Sequence, residues 1–325
     1  MHEYDENSML FVSEGIDSCF YDAIDKFSNY AMTKNEQVYV LKNILGTTKE
    51  YSYDIEKYIF VLIPKHPILV LYDDEMMSED ECNDFIDDLK EDIGNLSSLY
   101  KYSNVLGRPR KWDKRLFKMS EVTRFDIKEY LDDVLDQSLF RTIELIISLM
   151  TGSINSIGQV EASQLNNNLD KIKHKIILFD GQQSRFIYKE KQNTKTIRIQ
   201  GLAGTGKTEL LLYKIKEIFL NQPDKKIGFT CKNNVLANEL KNRVPKFFNA
   251  LEVSKQIMWD DKMFVFPSWG SRNNYNSGLY RYLCHVYGAT FYIYSQISDF
   301  EECCQLLLDH IKSLPTKEYA FDYLF

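Results

Sequence analysis

Gly201-Leu202-Ala203-Gly204-Thr205-Gly206-Lys207-Thr208 matches the G-x-x-x-x-G-K-[ST] pattern of a phosphate-binding loop at every fixed position. In such a loop, backbone N–H groups surround the phosphates, the lysine contacts the β- and γ-phosphates, and the hydroxyl binds Mg²⁺. The glycines permit positive φ angles and a close approach of the backbone to a ligand. Lys207 and Thr208 are the predicted catalytic residues. The predicted site for ATP and Mg²⁺ consists of Gly201, Ala203, Gly204, Thr205, Gly206, Lys207, Thr208 and Glu209.

The residues on either side predict a strand before the loop and a helix after it. Thr196-Ile197-Arg198-Ile199-Gln200 alternates apolar and polar residues, which favours a short strand. Residues 209–219 are mostly apolar and predict a helix that ends at Asn221-Gln222-Pro223. A strand, the loop and a helix in this order form the context in which the pattern is functional, whereas a chance glycine-rich turn lacks it.

Segments on both sides of the loop resemble motifs of superfamily 1 helicases of the UvrD/Rep type. Upstream, Leu178-Phe179-Asp180-Gly181-Gln182-Gln183 resembles the L-x-x-x-Q motif, and the resemblance implies that Gln182 contacts the adenine edge. Downstream, residues 227–244 and 264–271 are similar to the strand-and-loop motifs that touch single-stranded DNA. The resemblance covers the chain from about Lys175 onward. It implies nucleic-acid contacts at Thr230, Lys232, Asn233 and Trp269.

The resemblance also implies a domain organisation. Residues 169–325 are expected to form the first RecA-like domain, an α/β phosphate-loop NTPase with a parallel sheet. Glu318-Tyr319-Ala320-Phe321-Asp322-Tyr323-Leu324-Phe325 is similar to the strand that precedes the D-E-x-Q-D Mg²⁺-binding motif in these helicases. The domain is therefore expected to be incomplete at its C-terminus, with a partner chain as one possible source of the missing helicase domains. A finished small domain that ends at Phe325 is the alternative.

An incomplete domain is expected to hydrolyse ATP slowly. The acidic Mg²⁺ motif and the second RecA-like domain, which supplies the arginine finger in the family, lie outside this sequence. An arginine finger alone contributes about 10³ to 10⁵ in rate. We therefore expect the chain to bind the nucleotide but to hydrolyse it slowly.

Composition and charge fit a protein with two parts and an anionic partner. The 325 residues exceed one typical domain, and a hydrophobic content of 44% is enough for two ordinary cores. The net charge is −7, but 18 Lys and Arg face only 8 Asp and Glu between Arg185 and Arg281. A basic segment that coincides with the expected DNA-facing motifs favours single-stranded nucleic acid as a partner. A solvated basic surface is the alternative.

Other sequence features predict a cytoplasmic protein without a membrane anchor. Apolar runs such as residues 58–63 are too short to span a bilayer, and the first residues, Met1-His2-Glu3-Tyr4-Asp5-Glu6, are acidic, unlike a secretion signal. The six cysteines show neither C-x-x-C spacing nor histidines at zinc-ligand intervals. They are therefore interpreted as free thiols.

Residues 1–168 carry no recognised motif and are expected to form an α+β accessory domain. Helical spacing occurs at 16–30 and 131–150, and residues 58–71 predict a β-hairpin that turns at Pro64-Lys65-His66-Pro67. Ser78-Glu79-Asp80-Glu81 is a capping box, and the helix after it places Phe85, Leu89 and Ile93 on one face. The polar stretch 151–168 is the expected boundary between the domains.

Two charged clusters in this region allow a chemical interpretation. Asp73-Asp74-Glu75 offers carboxylate oxygens of the kind that Mg²⁺ prefers, but no E-x-K follows as in a nuclease, so a wet acidic helix face is favoured. Gly107-Arg108-Pro109-Arg110-Lys111-Trp112-Asp113-Lys114-Arg115 offers cations and an aromatic ring to a nucleic acid. A charged loop anchored by one aromatic residue is the alternative.

Three functions are compatible with these observations. The first is the ATP-binding portion of a DNA helicase that couples ATP hydrolysis to movement on single-stranded DNA. The second is a nucleotide-binding regulatory or interaction module that does not hydrolyse ATP and whose N-terminal domain recognises a partner protein. The third, a phosphate-loop kinase, requires an acceptor-binding lid for which the sequence gives no candidate.

Overall fold

The computed structural model describes residues 9–47, 53–154, 177–189, 196–251, 253–315 and 318–325. The chain divides into two compact units, Met1–Gln200 and Gly201–Phe325. The expected boundary at 168/169 lies outside the described residues. The segment that carries Gln182 belongs to the first unit, and the phosphate loop opens the second.

The first unit contains a five-stranded mixed sheet. The strands lie in the order β1-β2-β3-β4-β5, with parallel pairs at the two ends and antiparallel pairs in the middle. The strands are β1 (Leu10–Val12), β2 (Val38–Leu41), β3 (Tyr58–Leu62), β4 (Ile68–Tyr72) and β5 (Phe117–Glu121). The helices are α1 (Tyr21–Lys34), α2 (Glu79–Leu99), α3 (Ser103–Leu106), α4 (Ile127–Asp132), α5 (Phe140–Met150) and α6 (Gly181–Tyr188).

Helices cover both faces of this sheet. Successive residues of a strand point to opposite faces, and β2 shows the consequence. Val38 and Val40 belong to the core that contains α1, whereas Tyr39 and Leu41 belong to the core that contains α2 and α5. Because both faces are buried, strands β1 to β4 are continuous apolar runs rather than alternating ones.

The hairpin and the capping box are confirmed. Strands β3 and β4 pair in antiparallel fashion. The Ser78 hydroxyl accepts a hydrogen bond from the backbone N–H of Glu81, and the Glu81 carboxylate accepts one from the backbone N–H of Ser78 at 2.8 Å. Phe85, Leu89 and Ile93 are buried in the core beneath α2, as their spacing predicts.

The helix expected at 131–150 is wrong in its first half. Helix α4 ends at Asp132 and α5 begins at Phe140. Between them, Leu135 is buried and its N–H donates to the Lys65 carbonyl at 3.0 Å, a contact that a continuous helix would not make. Asp and Asn compete with helical hydrogen bonds through their own side chains, and this loop is rich in Asp. The helix expected at 16–30 is also displaced, since α1 begins at Tyr21 and continues to Lys34.

The second unit contains a parallel sheet of three strands in the order β7-β6-β8. The predicted helix after the loop, the strand and helix within 227–244 and the strand at 264–266 are all confirmed. The strands are β6 (Ile227–Cys231), β7 (Met263–Pro267) and β8 (Tyr323–Leu324). The helices are α7 (Lys207–Asn221), α8 (Asn234–Ala250), α9 (Leu279–Val286) and α10 (Phe300–Ser313). Both units are thus mixed α/β structures.

The strand expected before the phosphate loop is not formed. Residues 196–200 pair with no strand in the described part of the chain, and Ile197 is 49% exposed. A strand forms only where a neighbour takes up its backbone N–H and C=O groups, and alternation of residue types does not supply one. The expected helix therefore follows the phosphate loop, but the expected strand does not precede it in the described part of the chain.

The last residues form the expected strand, although it is shorter than predicted. Strand β8 pairs in parallel with β6, and the Phe325 N–H donates to the Gly228 carbonyl at 2.8 Å. A Cβ atom at Gly228 would lie 2.8 Å from the side chain of Leu324, so glycine permits this close approach. Among the described residues, no helix is both long and apolar enough to cross a membrane.

Candidate nucleotide-binding site

The phosphate loop has a backbone conformation that depends on its glycines. Gly204 and Gly206 have φ angles of +77° and +83°, in the left-handed region that other residues rarely adopt. Gly201 lies close to another part of the loop, because a Cβ atom there would be 2.8 Å from the Thr205 hydroxyl oxygen. Ala203 and Thr205 are exposed between these glycines. Leu202 is the one large apolar side chain of residues 201–206, and it is 81% exposed.

Helix α7 begins directly after the loop, and no side chain caps its N-terminus. Its N-cap residue is Gly206, whereas the next helix, α8, is capped by Asn233, whose side chain accepts from the Leu236 N–H at 2.9 Å. The N–H groups of a first helical turn have no partner within the helix, and the helix dipole makes this end positive. The first turn of α7, with Lys207, Thr208 and Glu209, therefore offers donors to an anion.

The Lys207 ammonium lies back across the loop. It donates to the carbonyls of Gly201 at 2.9 Å and Leu202 at 2.6 Å. The Thr205 hydroxyl donates to the same Leu202 carbonyl at 2.8 Å. An ammonium has three donors, and two of them are used within the loop. The charge is therefore positioned over the loop and keeps a donor for a phosphate oxygen.

Glu209, in the first turn of α7, is paired with a residue of α8. Its carboxylate lies 2.5 Å from the guanidinium of Arg243. Both side chains are partly exposed, so the pair adds little to stability. Its effect is local, because Arg243 offsets a negative charge that would repel a phosphate. The sequence alone gave no signal for Arg243, since only the packing of α8 beside α7 brings the two residues together.

The C-terminus of α7 lies near the edge of the sheet at which the parallel strands begin. Helix α7 ends near the strand starts, since the Tyr323 hydroxyl at the start of β8 donates to Gln222, just after α7, at 3.0 Å. Glu209 and Tyr213 of α7 contact Arg243 and Phe247 of α8, so the two helices run side by side.

Two adjacent charged residues of α7 lie in its buried part, away from the loop. Burial lowers the pKa of Lys216 to about 8, against a smaller opposing effect of Glu217. Burial likewise raises the pKa of Glu217, although Lys216 and Lys214 oppose the shift. Lys216 is nine positions beyond Lys207, or about 14 Å along the helix. These residues belong to the packing of α7 rather than to the phosphate site.

The four residues expected at a nucleic acid lie on the carboxyl edge of the sheet, but three of them make internal contacts. Thr230 donates to the Phe266 carbonyl at 3.3 Å, and Asn233 caps α8. The Trp269 indole N–H donates to the Tyr292 carbonyl at 3.1 Å, and its ring packs against Phe300 at 5.0 Å. The fourth, Lys232, is exposed.

Gln182 lies in the second position of α6, in the first unit, and is exposed. Its neighbour Gln183 forms a capping box with Asp180, through hydrogen bonds of 2.8 and 3.1 Å. The sequence D-x-x-Q thus has a structural role in starting α6, independent of any contact with adenine.

In both charged clusters of the first unit, a residue that was expected at a ligand makes internal contacts. Asp73 pairs with Lys57 at 3.2 Å, and no group of three His, Cys, Asp or Glu residues in the described ranges is placed to hold a metal ion. Trp112 is only 7% exposed, and its N–H donates to the Leu106 carbonyl at 2.8 Å. Its ring is therefore unable to stack on a base, and the segment is a charged loop anchored by one aromatic residue. All six cysteines are free thiols.

Neither the models of known protein families nor the curated proteins include a match to this chain. Function is therefore inferred from the chain's own residues and from the geometry of the loop.

Proposed function

We propose that residues 201–208 bind the phosphates of ATP or ADP together with Mg²⁺. The main observation behind this proposal is that a loop with two glycines in the left-handed region leads directly into the uncapped N-terminus of α7. The Lys207 ammonium is held over the same loop. Backbone N–H groups, the helix dipole and the ammonium then act on the same anion. No other part of the described chain combines these three features.

Each residue has a defined role in this proposal. Lys207 neutralises the β- and γ-phosphates, and the Thr208 hydroxyl is a ligand for Mg²⁺, which when bound offsets further phosphate charge. Arg243 keeps Glu209 from repelling the nucleotide.

The wider proposal is that this unit is a RecA-like, phosphate-loop NTPase domain, the ATP-binding portion of a UvrD/Rep-like DNA helicase. Such a protein couples ATP hydrolysis to movement on single-stranded DNA. Support comes from the order of the motif-like segments and from the parallel pairing of β6 and β7, which places Thr230 and Trp269 on one edge. The basic segment that contains these residues also supports a nucleic-acid partner.

A regulatory or interaction module that binds the nucleotide without hydrolysis is a second candidate. It is favoured by the internal contacts of Thr230, Asn233 and Trp269, which are expected at DNA in the helicase proposal. Measurement of ATP affinity with and without single-stranded DNA separates the two, because a helicase portion couples the two ligands even when it turns ATP over slowly. An ATP affinity that changes when single-stranded DNA is bound supports the helicase proposal, and an ATP affinity that is independent of DNA supports the module.

Replacing Thr208 with alanine is expected to remove most of the dependence of ATP affinity on Mg²⁺. The wild-type chain should bind ATP more tightly with Mg²⁺ than with EDTA. A hydrogen bond or ligand contact to a charged group contributes about 1.5–3 kcal/mol, so the variant should lose roughly a 10-fold to 100-fold enhancement. Calorimetry in the two buffers measures this directly.

Two variants control this experiment. Thr208→Ser keeps the hydroxyl and should keep the Mg²⁺ effect, and Thr290→Ala removes an exposed threonine of the same unit that lies outside the loop. An equal Mg²⁺ enhancement in wild type and Thr208→Ala would show that Thr208 is not the metal ligand.

A further inference from the structure

Residues 262–298 differ in composition from the rest of the chain. They contain no Asp or Glu and ten Phe, Trp or Tyr residues, in a chain whose net charge is −7. Their charged residues are Lys262, Arg272 and Arg281, with His285 as a further base. A segment of this kind is cationic and aromatic at the same time, which single-stranded nucleic-acid sites require.

Some of these aromatic residues form the core, but others are exposed. Phe264 and Phe266 of β7 pack against Tyr282 of α9. Tyr294, in contrast, is 70% exposed and Tyr275 is 48% exposed. We call Arg272, Tyr275, His285 and Tyr294 the aromatic surface. It follows β7 in the chain, and β7 ends at the same sheet edge as the loop after β6.

Tyr294 packs against Trp269, but most of its surface stays exposed. It lies in a turn closed by a hydrogen bond from the Gln296 N–H to the Ile293 carbonyl at 2.8 Å. Its ring meets Trp269 at a centroid distance of 5.8 Å and an interplanar angle of 63°. Trp269 is fixed by its own hydrogen bond and by Phe300. The packing of Trp269 therefore makes it a support for Tyr294 rather than a stacking platform itself.

A cation lies beside the same turn. The Arg272 guanidinium donates to the Gln296 side-chain oxygen at 3.4 Å, and that oxygen also accepts from the Ile293 N–H at 3.2 Å. No ion pair joins Arg272 to an acidic residue of the described chain. Its positive charge can therefore attract a phosphate beside the turn that carries Tyr294.

A second aromatic pair stands on the loop before α9. Tyr275 stacks on His285 at a centroid distance of 4.5 Å and an interplanar angle of 28°. The Ser277 hydroxyl holds this loop by accepting from the Ser271 N–H and donating to the Asn274 carbonyl, both at 2.6 Å. The loop is therefore ordered by its own hydrogen bonds before any partner binds.

We propose that the aromatic surface binds single-stranded nucleic acid, with a base stacked on Tyr294, a phosphate on Arg272 and a further base on the Tyr275–His285 pair. The inference rests on the nucleic-acid partner of the proposed function and adds the residues that contact it. Unpaired bases offer the flat faces that exposed rings bind, whereas a duplex keeps its bases stacked inside. The segment itself carries no carboxylate, and the nearest acidic residues in the chain are Asp261 before it and Asp299 after it.

The test is fluorescence anisotropy of labelled oligo-dT and oligo-U with the full chain, without nucleotide and over a range of salt concentrations. Tyr294→Ala should bind roughly 5-fold to 100-fold more weakly, the range found for loss of one stacked base. Tyr294→Phe should bind like wild type, because the ring remains. The matched control is Tyr319→Ala, since Tyr319 is 85% exposed in the same unit but lies next to Glu318 and outside the segment.

Arg272→Ala should act differently from Tyr294→Ala. Loss of one phosphate contact lowers the slope of log K against log salt by about 0.7 for a single strand, whereas loss of a stacked base leaves this slope unchanged. The oligo-dT and oligo-U titrations show whether the strand bound is DNA or RNA, and the two variants should have these effects in whichever of them binds.

Failure of this inference is distinguishable from failure of the proposed function. If wild type and Tyr294→Ala bind an oligonucleotide equally, the aromatic surface is wrong and the nucleic-acid partner stands. If wild type binds neither oligonucleotide at low salt, both are wrong. Weaker ATP binding in Lys207→Ala together with unchanged oligonucleotide binding is expected, because the two ligands use different residues.

Discussion

Lys207→Ala is expected to bind ATP and ADP much more weakly than wild type in the presence of Mg²⁺. The ammonium is the main side-chain charge over the loop, and its two hydrogen bonds to Gly201 and Leu202 show that it is positioned there. Hydrogen bonds to a charged group contribute about 1.5–3 kcal/mol each, so the affinity should fall by roughly 10-fold to 100-fold or more. Calorimetric titration of both proteins measures the change.

The matched control for this substitution is Lys246→Ala. Lys246 is an exposed lysine of α8 in the same unit, and its removal lowers the net charge by the same amount without touching the loop. Its affinity for the nucleotide should equal that of wild type. Equal affinities of wild type and Lys207→Ala would show that the nucleotide does not bind at this loop.

Phe264→Ala is expected to lower the free energy of unfolding of the second unit by about 3–5 kcal/mol, the usual cost of truncating a buried phenylalanine. Phe264 is the second residue of β7, and its ring contacts three others at centroid distances of 5.1 to 5.4 Å. These rings belong to Phe266, Tyr282 and Phe321. The substitution therefore removes one of the four rings that join β7, α9 and the segment before β8.

Tryptophan fluorescence can follow the unfolding of this unit alone. Two of the three tryptophans, Trp259 and Trp269, lie in the second unit, and a Trp112→Phe background removes the third. Denaturant titrations then compare Phe264→Ala with Tyr319→Ala, which truncates an exposed ring and should cost little. Similar midpoints for the two variants would contradict the placement of Phe264 in the core.

The sequence predicts those parts of the structure that depend on residues close together in the chain. The glycines of the loop, the helix α7 after it and the capping box at Ser78 are local patterns, and each forms as expected. The hairpin of β3 and β4 is also local, because Pro64 and Pro67 break the run between two apolar strands. In these cases the residues that decide the structure are within a few positions of one another.

The sequence fails where a distant residue decides the outcome. Residues 196–200 have the alternation of a strand but no neighbour to pair with. Residues 133–139 leave the helix because Leu135 is held by Lys65, far away in the chain. Trp269 looks like a base-stacking residue in the sequence, yet Tyr292 and Phe300 hold it as a support. Likewise, no local pattern indicates that Arg243 pairs with Glu209.

The nucleotide site itself is tested most directly by hydrogen–deuterium exchange with and without ATP and Mg²⁺. The backbone N–H groups of residues 202–210 should exchange more slowly when the nucleotide is bound, because those without an internal acceptor become donors to phosphate and the bound phosphate holds the rest of the loop in place. This protection should be absent in Lys207→Ala. Unchanged exchange across 202–210 at a saturating concentration of nucleotide, or protection confined to other segments, would contradict the assignment of this loop as the nucleotide site.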